Sequence, residues 1–241
     1  MRSLLLFLFF ILIGYTDLSA QDTTLVTVKT GEKITDVLRP SDIYYYPHFV
    51  YSKILFKDGK VADPYMNYNR LYDQMLFISE KGDTLALTDE KNIEFIVNDW
   101  DVFYYNGGYL RLIADDTVIK LAEKQTWVLA DIRKMGSHGR PTTSVAITSL
   151  SYFSNGQDAA KSKELIMNEE LIIRKETHYY FGDKYNHFVP ATKKRVLNLF
   201  SKDEQRIENY LNENKVNFDK KNDLEKLCQF LRQLQMHPQK I

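Results

Sequence analysis

Between Tyr51 and Leu121 the chain alternates short apolar runs with compact turn signals, and few folds accept that rhythm. Asp58-Gly59 separates Ile54-Leu55-Phe56 from Val61-Ala62. A type I′ turn needs positive φ at both central residues, which Gly allows freely and Asp tolerates, so this pair predicts a hairpin. Glu80-Lys81-Gly82-Asp83 separates Met75–Ile78 from Thr84–Leu87. Asn106-Gly107-Gly108 separates Val102–Tyr105 from Tyr109–Ile113, and Asp115-Asp116 precedes Thr117–Leu121. In Ile93–Val97, Ile93, Phe95 and Val97 fall on one side of a strand and Glu94 on the other. The connections are too short for crossover helices, so neighbouring strands are expected to be antiparallel. The expected class is mainly β, α+β overall. It is an antiparallel meander forming a barrel-like or sandwich-like sheet, followed by a short C-terminal helical segment.

The first residues stand apart from this pattern. Arg2 precedes a ten-residue apolar run, Leu4–Ile13, and Leu18-Ser19-Ala20 offers a small residue before Gln21. The run is shorter than the ~20 residues that span a bilayer. A secretory signal peptide over residues 1–20, cut after Ala20, is the expectation. No Cys follows that cut, so a lipoprotein anchor is not expected. No later apolar run is long enough for a membrane helix. An outer-membrane barrel needs strands of about 9–11 residues with an apolar outer band, and these runs are shorter and carry frequent Lys and Glu. The only cysteine, Cys228, excludes an intramolecular disulfide and falls on an apolar helical stripe, the place of a small hydrophobe. Lys plus Arg equals Asp plus Glu, 32 each. A neutral chain lacks the excess positive charge for a broad grip on nucleic acid or an anionic membrane.

In the mature chain, Leu25–Val28 and Lys33–Val37 flank Thr30-Gly31 and predict a short hairpin, broken at Arg39-Pro40-Ser41-Asp42. The aromatic run Ile43–Tyr51 contains Pro47, which fits an edge strand or a bulged entry. After Leu121 the pattern loosens. Thr126–Leu129 suggests one more strand, and Leu171–Ile173 and Thr177–Phe181 two others. From Pro190 the period turns helical, with Pro190 at a helix start. Ser201–Glu204 reads as a capping box. Ile207, Tyr210 and Leu211 share a helix face, and Leu224, Leu227, Cys228, Leu231 and Leu234 form the stripe of a last helix. The division is therefore residues 21–189 as the β domain and 190–241 as helices packed on it.

Candidate chemistry is sparse. The loop Gly136–Ser144 joins exposed backbone N–H groups to His138, Arg140, Thr142 and Ser144, and Arg140 offers a fork for carboxylate or phosphate. It lacks the spacing of a phosphate loop, and Ser137 is not in a nucleophile elbow. These four residues are the ligand-binding candidates; no catalytic or metal-ligating residue and no cofactor is assigned. His178 and His187 flank a hairpin and could approach each other, with Asp183 as a third ligand. Asn98-Asp99-Trp100-Asp101 sets two carboxylates around a Trp, which suits sugar chemistry, while a turn favours Asp anyway. Asn67 and Asn69 share a face of an extended segment, where they bind a polar ligand or close local turns. Tyr44-Tyr45-Tyr46, Tyr104-Tyr105 and Tyr179-Tyr180 each place some rings in the core and at least one outside, free to stack on a glycan or a partner.

The run Phe56-Lys57-Asp58-Gly59, with Asn67-Tyr68-Asn69, Phe77-Ile78 and Lys81–Leu85, resembles uncharacterised secreted β-rich proteins of Bacteroidetes-type bacteria. So does the ending Phe188–Lys194 with Ile207, Tyr210, Val216-Asn217-Phe218 and Asp223-Leu224. The resemblance covers most of the mature chain. It implies an exported, envelope-associated location in a Gram-negative cell and carries over no catalytic residue. The expected function is a secreted or periplasmic, non-enzymatic binding or structural module with an envelope protein or glycan as partner. The alternative is a hydrolase or small-ligand protein with its site near Gly136–Ser144.

Overall fold

The computed structural model describes residues 24–116, 118–135, 141–143, 148–149 and 170–236. The elements run β1 (Leu25–Val28), α1 (Ile34–Val37), α2 (Pro40–Ile43), β2 (Val50–Phe56), β3 (Val61–Ala62), β4 (Tyr65–Asn69), β5 (Gln74–Ile78) and β6 (Thr84–Ala86). Next come β7 (Ile93–Asn98), β8 (Asp101–Tyr105), β9 (Tyr109–Asp115), β10 (Lys120–Met135), β11 (Pro141–Thr143), β12 (Thr148–Ser149), β13 (Glu170–Gly182) and β14 (Phe188–Pro190). Three helices close the described chain: α3 (Lys193–Leu199), α4 (Glu204–Glu213) and α5 (Lys221–Met236).

The protein is mainly β with short C-terminal helices, and its paired strands are antiparallel. The sheet is open. Its order is β1-β13-β10-β9-β8-β7-β2-β4-β5-β6, so β1 and β6 end it. The meander is also rearranged: β7 returns past β3–β6 to pair with β2, which puts β2 between β7 and β4. The predicted hairpins at Asp58-Gly59 and Gly82 form, closing β2 on β3 and β5 on β6. At the first, only Gly59 takes positive φ (+85°), and the Gly59 amide donates to the Phe56 carbonyl. A turn followed by a glycine bulge replaces the expected type I′ geometry.

Several expectations give way to long-range pairing. Lys33–Val37 is not a strand: Ile34–Val37 is a helical turn, and β1 pairs with β13 instead. Pro40 starts α2, where its fixed φ suits a first helical position. Residues 43–49 form no edge strand; Tyr44 makes only an isolated bridge to Asn69. The region after Leu121 does not loosen. It is one 16-residue strand, β10, paired along its length with the 13-residue β13. Pro190 belongs to β14, and α3 starts after Thr192, whose hydroxyl accepts from the Arg195 amide. The capping box is absent, because Ser201–Asp203 forms a 3-10 turn and no side chain caps α4.

The helical stripes behave as their periodicity requires. Ile207 and Leu211 of α4, and Leu224, Leu227, Cys228, Leu231 and Leu234 of α5, are buried against Ile119, Leu121 and Phe181 of the sheet. Burial pushes the Cys228 thiol up to about 12, so it is an inert core group. A second core gathers Val28, Ile34, Leu38, Ile43, Trp127 and Ile173 where α1 and α2 cover the sheet. The Trp127 indole N–H donates to the Asp42 carbonyl at 3.0 Å. A third core, including Ile54, Met66, Met75, Ile96 and Phe103, underlies the β2–β4–β7 region. Among the described residues, no helix is long and apolar enough to cross a membrane.

Candidate functional site

The two-residue turn Asp99-Trp100 joins β7 to β8, with Asn98 and Asp101 as the last paired residues. Asp99 takes φ +52°, a left-handed conformation that Asp tolerates better than most residues. Trp100 stands at this tip with 92% of its surface exposed. Exposing a ring of that size forgoes on the order of 2–3 kcal/mol of burial. Beside the turn, Tyr51 of β2 lies directly opposite Tyr65 of β4. Both are 57% exposed and their rings meet edge to face, with centroids 5.8 Å apart. Alternation along β2 explains this: Ser52 and Ile54 point into the core, so Tyr51 points out. Tyr51, Tyr65, His48, Phe49, Val50 and Asp99 line an open groove of about 610 Å³.

Beneath this face the support is a polar network, although Arg70 Nε, Asn98 Oδ1 and the Tyr109 hydroxyl lack a hydrogen-bond partner among the described residues. The Tyr46 hydroxyl donates to Asp101 Oδ2 at 2.8 Å and lies 3.1 Å from the Asn98 carbonyl, so it holds the base of the turn. Asp101 Oδ1 accepts from Arg111 Nη1 at 2.9 Å, and the same guanidinium pairs with Glu123, Nε to Oε1 at 3.0 Å. Burial, then the Asp101 bond, pushes the Tyr46 phenol well above its ordinary value. Burial alone would lower Arg111, but the bonds to Glu123 and Asp101 outweigh it and the guanidinium stays charged. Lys124 pairs with Asp73 at 2.5 Å, and Asp73 also accepts the Tyr68 hydroxyl and the Tyr109 amide. Arg70 reaches Gln125 and the Ser41 and Tyr44 carbonyls, and Arg70 and Arg111 each lie 5.5 Å from the Tyr45 ring centre.

Arg70, Arg111 and Lys124 balance Asp73, Asp101 and Glu123. The cavity between Tyr45, Tyr68, Phe103, Arg111, Glu123 and Gln125 encloses about 10 Å³, the room of a single water. Asp99 and Asp101 do not form a carboxylate pair for sugar hydrolysis, because Asp101 is committed to Tyr46 and Arg111 while Asp99 faces solvent.

The other candidates disperse. His138, Arg140 and Ser144 lie outside the described residues. Thr142 is in β11, opposite Lys134, so part of the expected loop is strand. His178 bonds Glu176, and His187 bonds Asp183, so the two histidines serve separate carboxylates. Among the described residues no three His, Cys, Asp or Glu side chains gather as a metal site. Asn67 exchanges hydrogen bonds with the Tyr46 backbone, and Asn69 accepts from the Leu71 and Tyr72 amides; both close local structure. The tyrosine clusters put no ring fully outside, because Tyr44–Tyr46 are not in a strand and both faces of β8 are covered. Among the described residues, the exposed tyrosines are instead Tyr51, Tyr65 and Tyr185. Their signal was Tyr51 beginning an alternating strand and Tyr65 following Pro64, which required the β2–β4 register to interpret.

No family model matches the chain, and neither does a curated protein or a solved structure.

Proposed function

We propose that this protein is an exported, non-enzymatic binding module of the cell envelope, and that its binding face is the aromatic surface of Trp100, Tyr51 and Tyr65. The carrying observation is Trp100, displayed at the tip of a hairpin whose base is fixed by Tyr46, Asp101 and Arg111. Flat rings held on a rigid scaffold bind with little loss of side-chain freedom. The export signal read in residues 1–20 supports the compartment. The test is co-sedimentation of the purified mature chain with an insoluble envelope fraction. The wild type is expected to pellet with it, and Trp100→Ala is expected to remain in the supernatant with an unchanged unfolding midpoint. Equal pelleting of the two proteins would remove this face from the function.

A further inference from the structure

We infer that the occupant of this aromatic face is an uncharged pyranose glycan; the inference rests on the binding-module reading above and specifies its ligand. Such a sugar presents two kinds of surface. Its ring faces carry polarised C–H groups, which lie favourably on the electron-rich face of an aromatic ring. Its rim carries hydroxyls that donate to carboxylates and carbonyls.

The groove offers both partners in one place. Tyr51 and Tyr65 supply the rings, and the exposed Trp100 follows the lining residue Asp99 in the adjoining turn. Asp99 and His48 supply polar groups at the wall. The groove volume, about 610 Å³, lies within the ~300–1,000 Å³ of small-ligand clefts.

Charge decides between glycan classes. No Lys or Arg lines the groove, and its acidic group is Asp99. Among the lining groups, a sulfated, phosphorylated or uronic-acid polymer would meet a carboxylate and no Lys or Arg. An uncharged chain would meet a strong acceptor for its hydroxyls.

The protein carries its own reporter. It has two tryptophans, and Trp127 is 1% exposed while Trp100 is 92% exposed. Quenching by acrylamide therefore reads Trp100. The probes are the hexasaccharides of β-1,4-glucose, α-1,4-glucose and β-1,4-N-acetylglucosamine, with heparin hexasaccharide as the charged comparison. At least one neutral probe is expected to shift Trp100 emission to the blue and reduce its quenching at least twofold. The double variant Tyr51→Ala/Tyr65→Ala is expected to weaken that binding at least tenfold, at an unchanged unfolding midpoint. Asp99→Asn keeps a residue that tolerates positive φ and is expected to weaken it about threefold.

Protection by heparin equal to that by the neutral probes would overturn the assignment. So would the absence of protection by all three neutral probes. If that absence accompanies Trp100-dependent pelleting with the envelope fraction, the binding face stands and only its ligand class falls. If pelleting is also independent of Trp100, both fall.

Discussion

At the scale of one residue, Gly108 carries the most constraint. Its φ is +151°, and a Cβ on it would enter the space of the Lys124 ammonium and the Asp73 carboxylate. Those groups pair with each other, and Asp73 further holds Tyr68 and the Tyr109 amide. The β8–β9 turn therefore packs its backbone against a buried ion pair, and only a missing side chain permits that approach. Gly107 is the internal control: its φ is +64° and nothing stands near its Cβ position. Gly107→Ala is expected to cost the left-handed penalty alone, about 1–2 kcal/mol. Gly108→Ala also displaces one partner of a buried pair and is expected to cost at least ~3 kcal/mol. Urea unfolding followed by circular dichroism measures both. A Gly108→Ala cost no larger than that of Gly107→Ala would show that the ion pair yields freely.

Among the elements, the same logic applies to the β13–β14 hairpin, where Gly182 faces Phe188 directly across the ladder. An added Cβ would lie 2.5 Å from Phe188 Cε1. The ring has little room to retreat, because it packs against Tyr104, tilted at 45° with centroids 5.0 Å apart. Gly182→Ala is expected to destabilise by about 2 kcal/mol through overpacking. Phe188→Leu opens the space, so the double variant is expected to lose at least ~1 kcal/mol less than the sum of the singles. Additive costs in the double-mutant cycle would mean that the clash is relieved elsewhere.

This pairing shows where local sequence is informative and where it is not. The hairpin at Asp58-Gly59 and the α5 leucine stripe are decided within a few residues and form, although the turn type differs from the expected one. Ile93–Val97 is a strand, but a bulge breaks its alternation: Ile93 and Ile96 enter one core while Phe95 packs on another, so Ile93, Phe95 and Val97 do not share the expected face. Ile34–Val37 is apolar enough for a strand, yet β13 had already taken β1, which left that segment to cover the sheet as a helical turn. Ala122-Glu123-Lys124-Gln125 looks like a solvated run. It is strand because Arg111 and Asp73, 12 and 51 residues away in sequence, neutralise it. The candidate site was half legible: Asn98–Asp101 stood out by composition, whereas Tyr51 and Tyr65 meet only through a register no local pattern fixes.

For the molecule as a whole, the abundance of tyrosine sets the response to alkali. Burial foremost raises Tyr45, Tyr46, Tyr68, Tyr105, Tyr109, Tyr179 and Tyr210 above the ordinary phenol value of 10.0. Cys228 is raised from 9.0 to about 12 by the same cause. Each is an acid that is neutral when protonated, and the folded chain holds its proton longer than the unfolded chain does. Above pH ~9 the unfolded chain therefore binds fewer protons than the folded one, and stability falls as pH rises. Lys120 adds the same sign, because its bonds to Tyr104 and Asp115 outweigh burial and raise it, so its contribution is lost as it deprotonates. The urea midpoint is expected to stay level from pH 7 to about 8.5, fall through pH 9–10, and drop steeply above pH 10. The rings that burial raises, Tyr46, Tyr68 and Tyr109 among them, are expected to give their tyrosinate absorbance at 295 nm together with the loss of circular dichroism. Ionisation of Tyr46, Tyr68 and Tyr109 around pH 10 with the fold intact would mean that the rings beneath the aromatic face are not locked in the core.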